Sequence, residues 1–327
     1  MALGEFDLIA KYFKRPVHRA ALGIGDDCAL IAPAPGMQLA ISCDMLVQGR
    51  HFFADVDPHA LGHKALAVNL SDLAASGAAP RAFTLALALP QVEEAWLQGF
   101  AQGLFALADT HGCELIGGDT TQGPLNICIT VFGDVPAGEA LLRSGAQAGD
   151  DIYVSGNLGD ARLALEALLG HISLPAEALA AARERLERPT PRVALGTALR
   201  NIASSALDVS DGLLGDLSHI LQASQVGAEV HLEEATKLIA SSTLWESAAA
   251  DFDQNLLQQC TLAGGDDYEL CFTAAVSQRA AVQAAGATAQ TPVHRIGRIT
   301  AEPGLRVLDA QGQPVAQRWR SFDHFKA

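Results

Sequence analysis

Two periodicities alternate along this chain, and together they limit its fold more than any single residue does. Apolar residues recur at helical spacing from Leu61 to Ser76, through Leu61, Ala65, Val68 and Leu73, and again from Glu93 to His111, through Trp96, Leu97, Phe100, Leu104 and Leu107. An opening segment carrying Phe6, Ile9, Ala10 and Phe13 shows the same spacing. Between these runs lie segments with the two-residue period of strands: Gln38 to Asp44, Glu114 to Gly118, and a run in which Leu125, Ile127, Ile129 and Val131 share one face. Gly77 and Gly112 stand where helix C-caps are expected.

The alternation restarts after two turn-rich stretches, Asp134-Val135-Pro136-Ala137-Gly138 and Gln147-Ala148-Gly149-Asp150. Strands are expected at Asp151 to Ser155, Ala206 to Val209, Ala228 to Leu232, Tyr268 to Thr273 and Gly304 to Leu308. Helices are expected at Gly159 to Leu169, Ala176 to Arg188 and Leu213 to Ser224, the last closed near Gly227. A chain of 327 residues exceeds the roughly 250–300 at which one hydrophobic core stops growing. The reading is two α/β domains, residues 1–137 and 138–327.

Charge removes whole classes of function. Lys and Arg number 22 against 37 Asp and Glu, a formal charge of -15, which repels a phosphate backbone, so no nucleic acid is expected as partner. The N-terminus lacks the basic and apolar regions of a signal peptide, and no charge-free apolar run reaches the ~18 residues of a membrane span, so a cytoplasmic protein is expected. Cys28, Cys43, Cys113, Cys128, Cys260 and Cys271 form no C-x-x-C pair, and they read as reduced small hydrophobes.

The chemistry lies in the aspartates. Six places set Asp beside glycine or a small hydroxyl residue: Gly25-Asp26-Asp27, Ser42-Cys43-Asp44, Ser71-Asp72, Gly117-Gly118-Asp119-Thr120-Thr121, Asp208-Val209-Ser210-Asp211-Gly212, and Gly264-Gly265-Asp266-Asp267-Tyr268-Glu269. Each alone is ordinary turn chemistry. In α/β folds, however, ligands bind beyond the carboxyl ends of strands, which makes the set a candidate shared site. Two carboxylates about 4 Å apart repel by about 4 kcal/mol in a medium of intermediate dielectric, unless a cation lies between them. Carboxylate and hydroxyl oxygens suit Mg²⁺ or Ca²⁺, and Mg²⁺ characteristically shares its shell with substrate phosphates. Gly23, Gly25, Gly117, Gly118 and Gly212 let a phosphate approach backbone N–H groups, and Gly212 opens a helix whose N-terminus favours anions. Arg143, Lys64, Arg50 and His51 are candidate cationic or hydrogen-bonding partners for phosphate oxygens. A P-loop, a complete dinucleotide fingerprint, H-E-x-x-H, G-x-S-x-G and an EF-hand loop are all absent. Metal-assisted phosphoryl transfer from ATP needs none of them, because it rests on positioning and charge neutralisation.

Taken in order, the motifs resemble those of the thiamine-monophosphate kinases, within the superfamily of aminoimidazole ribonucleotide synthetase. The resemblance is carried by Gly4-Glu5-Phe6, Gly23-Ile24-Gly25-Asp26-Asp27-Cys28-Ala29, Val68-Asn69-Leu70-Ser71-Asp72-Leu73-Ala74, Leu115-Ile116-Gly117-Gly118-Asp119-Thr120-Thr121, Asp208-Val209-Ser210-Asp211-Gly212-Leu213, Gly264 to Leu270, and Asp323-His324-Phe325. It implies a two-domain α/β (α+β) fold with mixed sheets flanked by helices, and direct transfer of the ATP γ-phosphoryl group to thiamine monophosphate with several Mg²⁺ ions. It further implies that Asp27, Ser42, Cys43, Asp44, Asp72, Asp119, Asp208 and Asp211 hold metal and that Gly118, Asp119, Arg143 and Ser210 face ATP. His51 and Asp266 then contact the thiamine phosphate, with Trp319 or Phe322 near its rings, in a homodimer joined through N-terminal sheets. Three positions depart from the family pattern: Cys43 replaces threonine, leaving its backbone carbonyl as the metal contact, Asp266 replaces glutamate, and Phe322 replaces tyrosine. Other ATP-using synthetases of the superfamily, and a non-catalytic Ca²⁺-binding protein, are the alternative readings.

Overall fold

A computed structural model describes residues 4–240, 254–316 and 319–322, so Asp323-His324-Phe325 lies outside the described residues. The chain divides into two compact units, Met1–Leu73 with Ala78–Gly138, and Ala74–Gly77 with Glu139–Ala327.

The first unit opens with a short helix, α1 (Glu5–Leu8), that runs into a π turn over Ile9–Phe13. Its sheet contains β1 (Met37–Val47), β2 (Ala79–Leu89), β3 (Glu114–Gln122) and β4 (Asn126–Pro136) in the order β1-β4-β2-β3. β4 pairs antiparallel with both neighbours, whereas β2 and β3 are parallel. Parallel pairing needs a crossover, and α3 (Glu94–His111) supplies it. The left-handed Gly112, at φ 57°, ends that helix as expected.

The sequence pattern assigns α2 (Pro58–Ala75) a single apolar face, but the structure buries it nearly all round, Lys64 and Asn69 included. The reason is a close approach on two sides. A methyl group on Gly62 would overlap the carbonyl oxygen of Phe100 in α3, and the methyls of Leu73 press on Gly133 of β4. On the sheet face that packs inward, Ile127, Ile129 and Val131 of β4 lie beside Leu87, Leu85 and Phe83 of β2. The opposite face is open: Ile41, Cys43 and Met45 of β1 are exposed.

The second unit is built on a six-stranded mixed sheet of β5 (Asp151–Ser155), β6 (Ser205–Val209), β7 (Gly227–His231), β8 (Glu269–Ala274), β9 (Val293–Thr300) and β10 (Gly304–Leu308), ordered β10-β7-β9-β5-β8-β6. Its described helices are α4 (Asp160–Leu168), α5 (Ala176–Glu187), α6 (Val193–Ala198), α7 (Leu213–Ser224), α8 (Leu232–Thr236), α9 (Gln254–Ala263) and α10 (Arg279–Thr288). Leu213, Leu217 and Ile220 of α7 pack on Leu207 and Val209 of β6 in the main core. Gln225 at φ 57°, not Gly227, closes α7. Among the described residues no helix is long and apolar enough to cross a membrane.

Candidate active site

In the first unit the expected residues gather around β1 and α2. Positions 69 and 72 lie three apart on one helical face, which turns both toward β1. The Ser42 hydroxyl donates to Asp72 Oδ2 at 2.5 Å, and the Asp44 backbone N–H donates to Asn69 Oδ1 at 3.1 Å. Asn69 in turn donates from Nδ2 to the Ala65 carbonyl at 3.0 Å, so its amide orientation is set by the helix. No role for Asn69 follows from the sequence, because an Asn inside an apolar helix shows no local sign of what it meets.

Residues alternate across a strand, so Cys43 points to the opposite face from Ser42 and Asp44. Its thiol lies 3.4 Å from that of Cys128, which burial pushes up to about 11. A soft thiol is thereby directed away from the oxygen donors. Beyond β1, His51 Nδ1 accepts from the Val47 N–H at 3.0 Å, which places the proton of the neutral ring on Nε2, and the buried Lys64 reaches the His51 carbonyl at 3.4 Å.

Asp27 and Asp119 lie elsewhere in this unit, along a cavity of about 890 Å³ that Gly25, Asp26, Gly117, Gly118 and Thr120 also line. Gly118, at φ 142°, is obligatory there, since a side chain would collide with the Leu85 backbone.

In the second unit two motifs are sewn together. The Asp266 N–H donates to the Ser210 carbonyl at 2.8 Å, and the Tyr268 N–H to the Val209 carbonyl at 2.8 Å. Asp266 and Tyr268 both take the left-handed conformation, at φ 66° and 52°, an uncommon state for non-glycine residues that clusters at functional sites. Gly265 lets the loops meet, because a methyl there would sit 2.5 Å from the Ser210 carbonyl oxygen.

The buried carboxylate of Asp216 reaches back from α7 to accept the N–H groups of Ser210, Asp211 and Gly212 at 3.1, 3.0 and 3.0 Å. Desolvation pushes its pKa up to about 7 despite those donors. Asp216 looks like an ordinary helix-start acid in the sequence, and its spacing of four to six residues from the loop is the signal that could have found it.

The Phe322 N–H donates to the Asp211 carbonyl at 3.0 Å, which brings Phe322 to the same loop. Of the two aromatic candidates Phe322 is the exposed one, whereas Trp319 packs in the core with 9% of its surface exposed. Arg143 is not brought to Ser210 within this unit. Its carbonyl accepts from Ser224 Oγ at the far end of α7, a helix of 12 residues.

Behind the loops, Glu269 is fully buried and holds Ser155 Oγ at 2.6 Å, Arg185 at 2.7 Å and Arg192 at 2.6 and 2.5 Å. The neighbouring Asp267 accepts the Gly159 N–H on both oxygens, and burial raises its pKa well above the usual carboxylate range.

Among the described residues no three His, Cys, Asp or Glu side chains come together closely enough to hold a metal by themselves. The donors that do meet, Ser42 and Asp72, are hard oxygens, a set that fits a magnesium ion completing its shell with water and phosphate.

Residues 25–135 match the family described as AIR synthase related protein, N-terminal domain, and residues 147–310 match AIR synthase related protein, C-terminal domain. The two-unit fold and its acidic loops are thus those of an AIR synthase related protein. Within that class the chain belongs to the thiamine-monophosphate kinase family. It is 46% identical over 331 residues to the thiamine-monophosphate kinase of Salmonella typhimurium (strain LT2), covering 99% of both chains. It also resembles the crystal structure of thiamine-monophosphate kinase from Stenotrophomonas maltophilia K279a, with a TM-score of 0.82, 45% identity and 94% and 95% of the two chains covered. AaThiL complexed with AMPPCP and TMP is similar at a TM-score of 0.77 and 28% identity, with 90% and 89% covered.

Proposed function

We propose that the protein transfers the γ-phosphoryl group of ATP to the phosphate of thiamine monophosphate, giving thiamine diphosphate and ADP. The observation that carries this reading is the joining of the Ser210-Asp211 and Gly264–Tyr268 loops, in a chain that covers 99% of a thiamine-monophosphate kinase. Asp27, Asp44, Asp72, Asp119, Asp208 and Asp211, with Ser42 and the Cys43 carbonyl, are the oxygens we assign to Mg²⁺, which would neutralise phosphate charge when bound. Gly118, Asp119, Arg143 and Ser210 are assigned to ATP. His51 and Asp266 are assigned to the phosphate of thiamine monophosphate and Trp319 or Phe322 to its rings, Phe322 being the exposed one of the two.

The chain's own contribution is positioning. Asp216 holds the backbone of Ser210 and Asp211 in place before substrate arrives, and such preorganisation removes reorganisation cost from the transition state. The open sheet face carrying Ile41, at 60% exposure, and Met45, at 53%, supports a homodimer joined through this face.

Incubation with ATP, Mg²⁺ and thiamine monophosphate, followed by chromatography, should yield thiamine diphosphate, and chelation of Mg²⁺ should abolish it. Protein that consumes ATP on another acceptor but forms no thiamine diphosphate would refute the assignment. Light scattering should give twice the chain mass, and Ile41→Asp should return it to that of one chain.

A further inference from the structure

The lining of the 890 Å³ cavity of the first unit is of two chemical kinds. Phe6, Ile9 and Phe13 with Leu85 and Leu115 of the sheet are apolar, whereas Gly25, Asp27, Gly118 and Asp119 bring glycine backbone and carboxylates. A ligand that matches both has a flat apolar part and a phosphate chain carried with its cation, because carboxylates alone repel an anion.

The N-terminal segment is shaped to provide this lining. Lys14 N–H donates to the Ile9 carbonyl at 2.9 Å, five residues back, so the chain widens into a π turn at Ile9–Phe13. Such turns are rare and occur frequently at functional sites. Ile9, Ala10, Phe13 and Lys14 all line the cavity from this segment.

Lys14 is the cation in this lining. Lys11, three residues earlier, is taken up by Glu94 at 2.5 Å. The Lys14 ammonium, by contrast, has no hydrogen-bond or ion-pair partner among the described residues, although Glu5, Asp26, Asp27 and Asp119 line the same cavity. Its ammonium lies 3.2 Å from where a Gly25 side chain would begin, and Gly25 at φ 131° leaves that approach clear. Phe6, also in the lining, is 82% exposed, a large aromatic ring without a cover.

We propose that Lys14 and Phe6 are specificity-determining residues for the nucleotide: Lys14 pairs with an oxygen of the triphosphate chain, and Phe6 packs against the purine base. This rests on the assignment of ATP to Gly118 and Asp119, which line the same cavity. A lysine is suited to the phosphate role as a point charge, and an exposed ring to stacking on a purine, whose face offers more area than a pyrimidine's.

The test separates the two substrates. Lys14→Met should raise the KM for ATP by about tenfold or more, the size of one charge-assisted contact, while the KM for thiamine monophosphate stays within about twofold. Lys14→Arg should restore most of the loss. Phe6→Ala should weaken equilibrium binding of a non-hydrolysable ATP analogue by about three- to tenfold and narrow the preference for ATP over a pyrimidine triphosphate, and Phe6→Trp should retain both. Thermal melts of all four variants should match the parent, since both side chains are exposed.

An unchanged KM for ATP in Lys14→Met, or a rise confined to thiamine monophosphate, overturns the proposal while leaving the kinase assignment intact. If the parent protein makes no thiamine diphosphate, the kinase reading fails, and binding of the ATP analogue to Lys14→Met and Phe6→Ala still decides this one.

Discussion

The hydroxyl of Ser42 on the edge strand β1 donates to the carboxylate of Asp72 on the buried helix α2 at 2.5 Å. One contact thereby aligns two expected metal ligands that are 30 positions apart in sequence. Asp72→Asn keeps an acceptor for Ser42 but loses the charge. Turnover should fall by about a thousandfold, the scale of several kcal/mol of lost charge stabilisation. The unfolding free energy should move by less than about 1 kcal/mol. Steady-state kinetics and urea unfolding check both, and normal turnover would remove Asp72 from the site.

Asp216 closes the backbone of the Ser210–Gly212 loop with three hydrogen bonds. In Asp216→Ala the three N–H groups, of which that of Gly212 is buried, lose their acceptor, at a cost of about 1–3 kcal/mol for the loop as one unit. Reduced stability together with a raised Mg²⁺ requirement is expected, and Asp216→Asn, which keeps one acceptor oxygen, should recover part of both. Urea unfolding and Mg²⁺ titration of activity are the measurements.

Gly265→Ala places a methyl group 2.5 Å from the Ser210 carbonyl oxygen. The two loops must separate, breaking the contact made by the Asp266 N–H. Overpacking of this kind costs about 1–3 kcal/mol, and the KM for thiamine monophosphate should rise more than that for ATP if Asp266 serves the acceptor. A KM change confined to ATP would reassign the loop.

Asp151 is hydrogen bonded by Arg279 at 2.6 and 2.9 Å, and this holds its carboxyl below the usual 3.8. A lowered folded-state pKa contributes stability that is present above the unfolded value and is lost as pH falls through the folded one. Arg279→Met should therefore lose stability at neutral pH and show a shallower decline below pH 3.8 than the parent. Thermal unfolding across an acid pH series measures the slope.

Glu269 carries the buried charge of the second unit between Arg185 and Arg192. Removing one side of a buried ion pair typically costs about 3–5 kcal/mol, and Glu269→Ala should destabilise on that scale. Calorimetry decides it, and a change under about 1 kcal/mol would show that water solvates the two guanidiniums unaided.

Much of this protein is written locally. The helices at Glu94–His111 and Leu213–Ser224, the strands at Asp151–Ser155 and Asn126–Pro136, and the left-handed glycines at 77 and 112 follow from periodicity and turn chemistry, which depend on near neighbours in sequence. The aspartate motifs are legible for the same reason. β2 was not legible, because its Ala- and Leu-rich run has no strong strand propensity and becomes a strand only between β3 and β4. α2 reads as one-faced and is buried all round, because packing on a second side leaves no local trace.

The sequence by itself determined many of the elements, the residue types of the site and the family whose motifs it carries. Tertiary structure decided that Asn69 serves Asp44, that Asp216 holds the Ser210 loop, that Cys43 turns away from the oxygens, and that Trp319 belongs to the core while Phe322 does not. Each of these is a contact between residues brought together by chain crossings and strand register, and register depends on what the whole sheet buries.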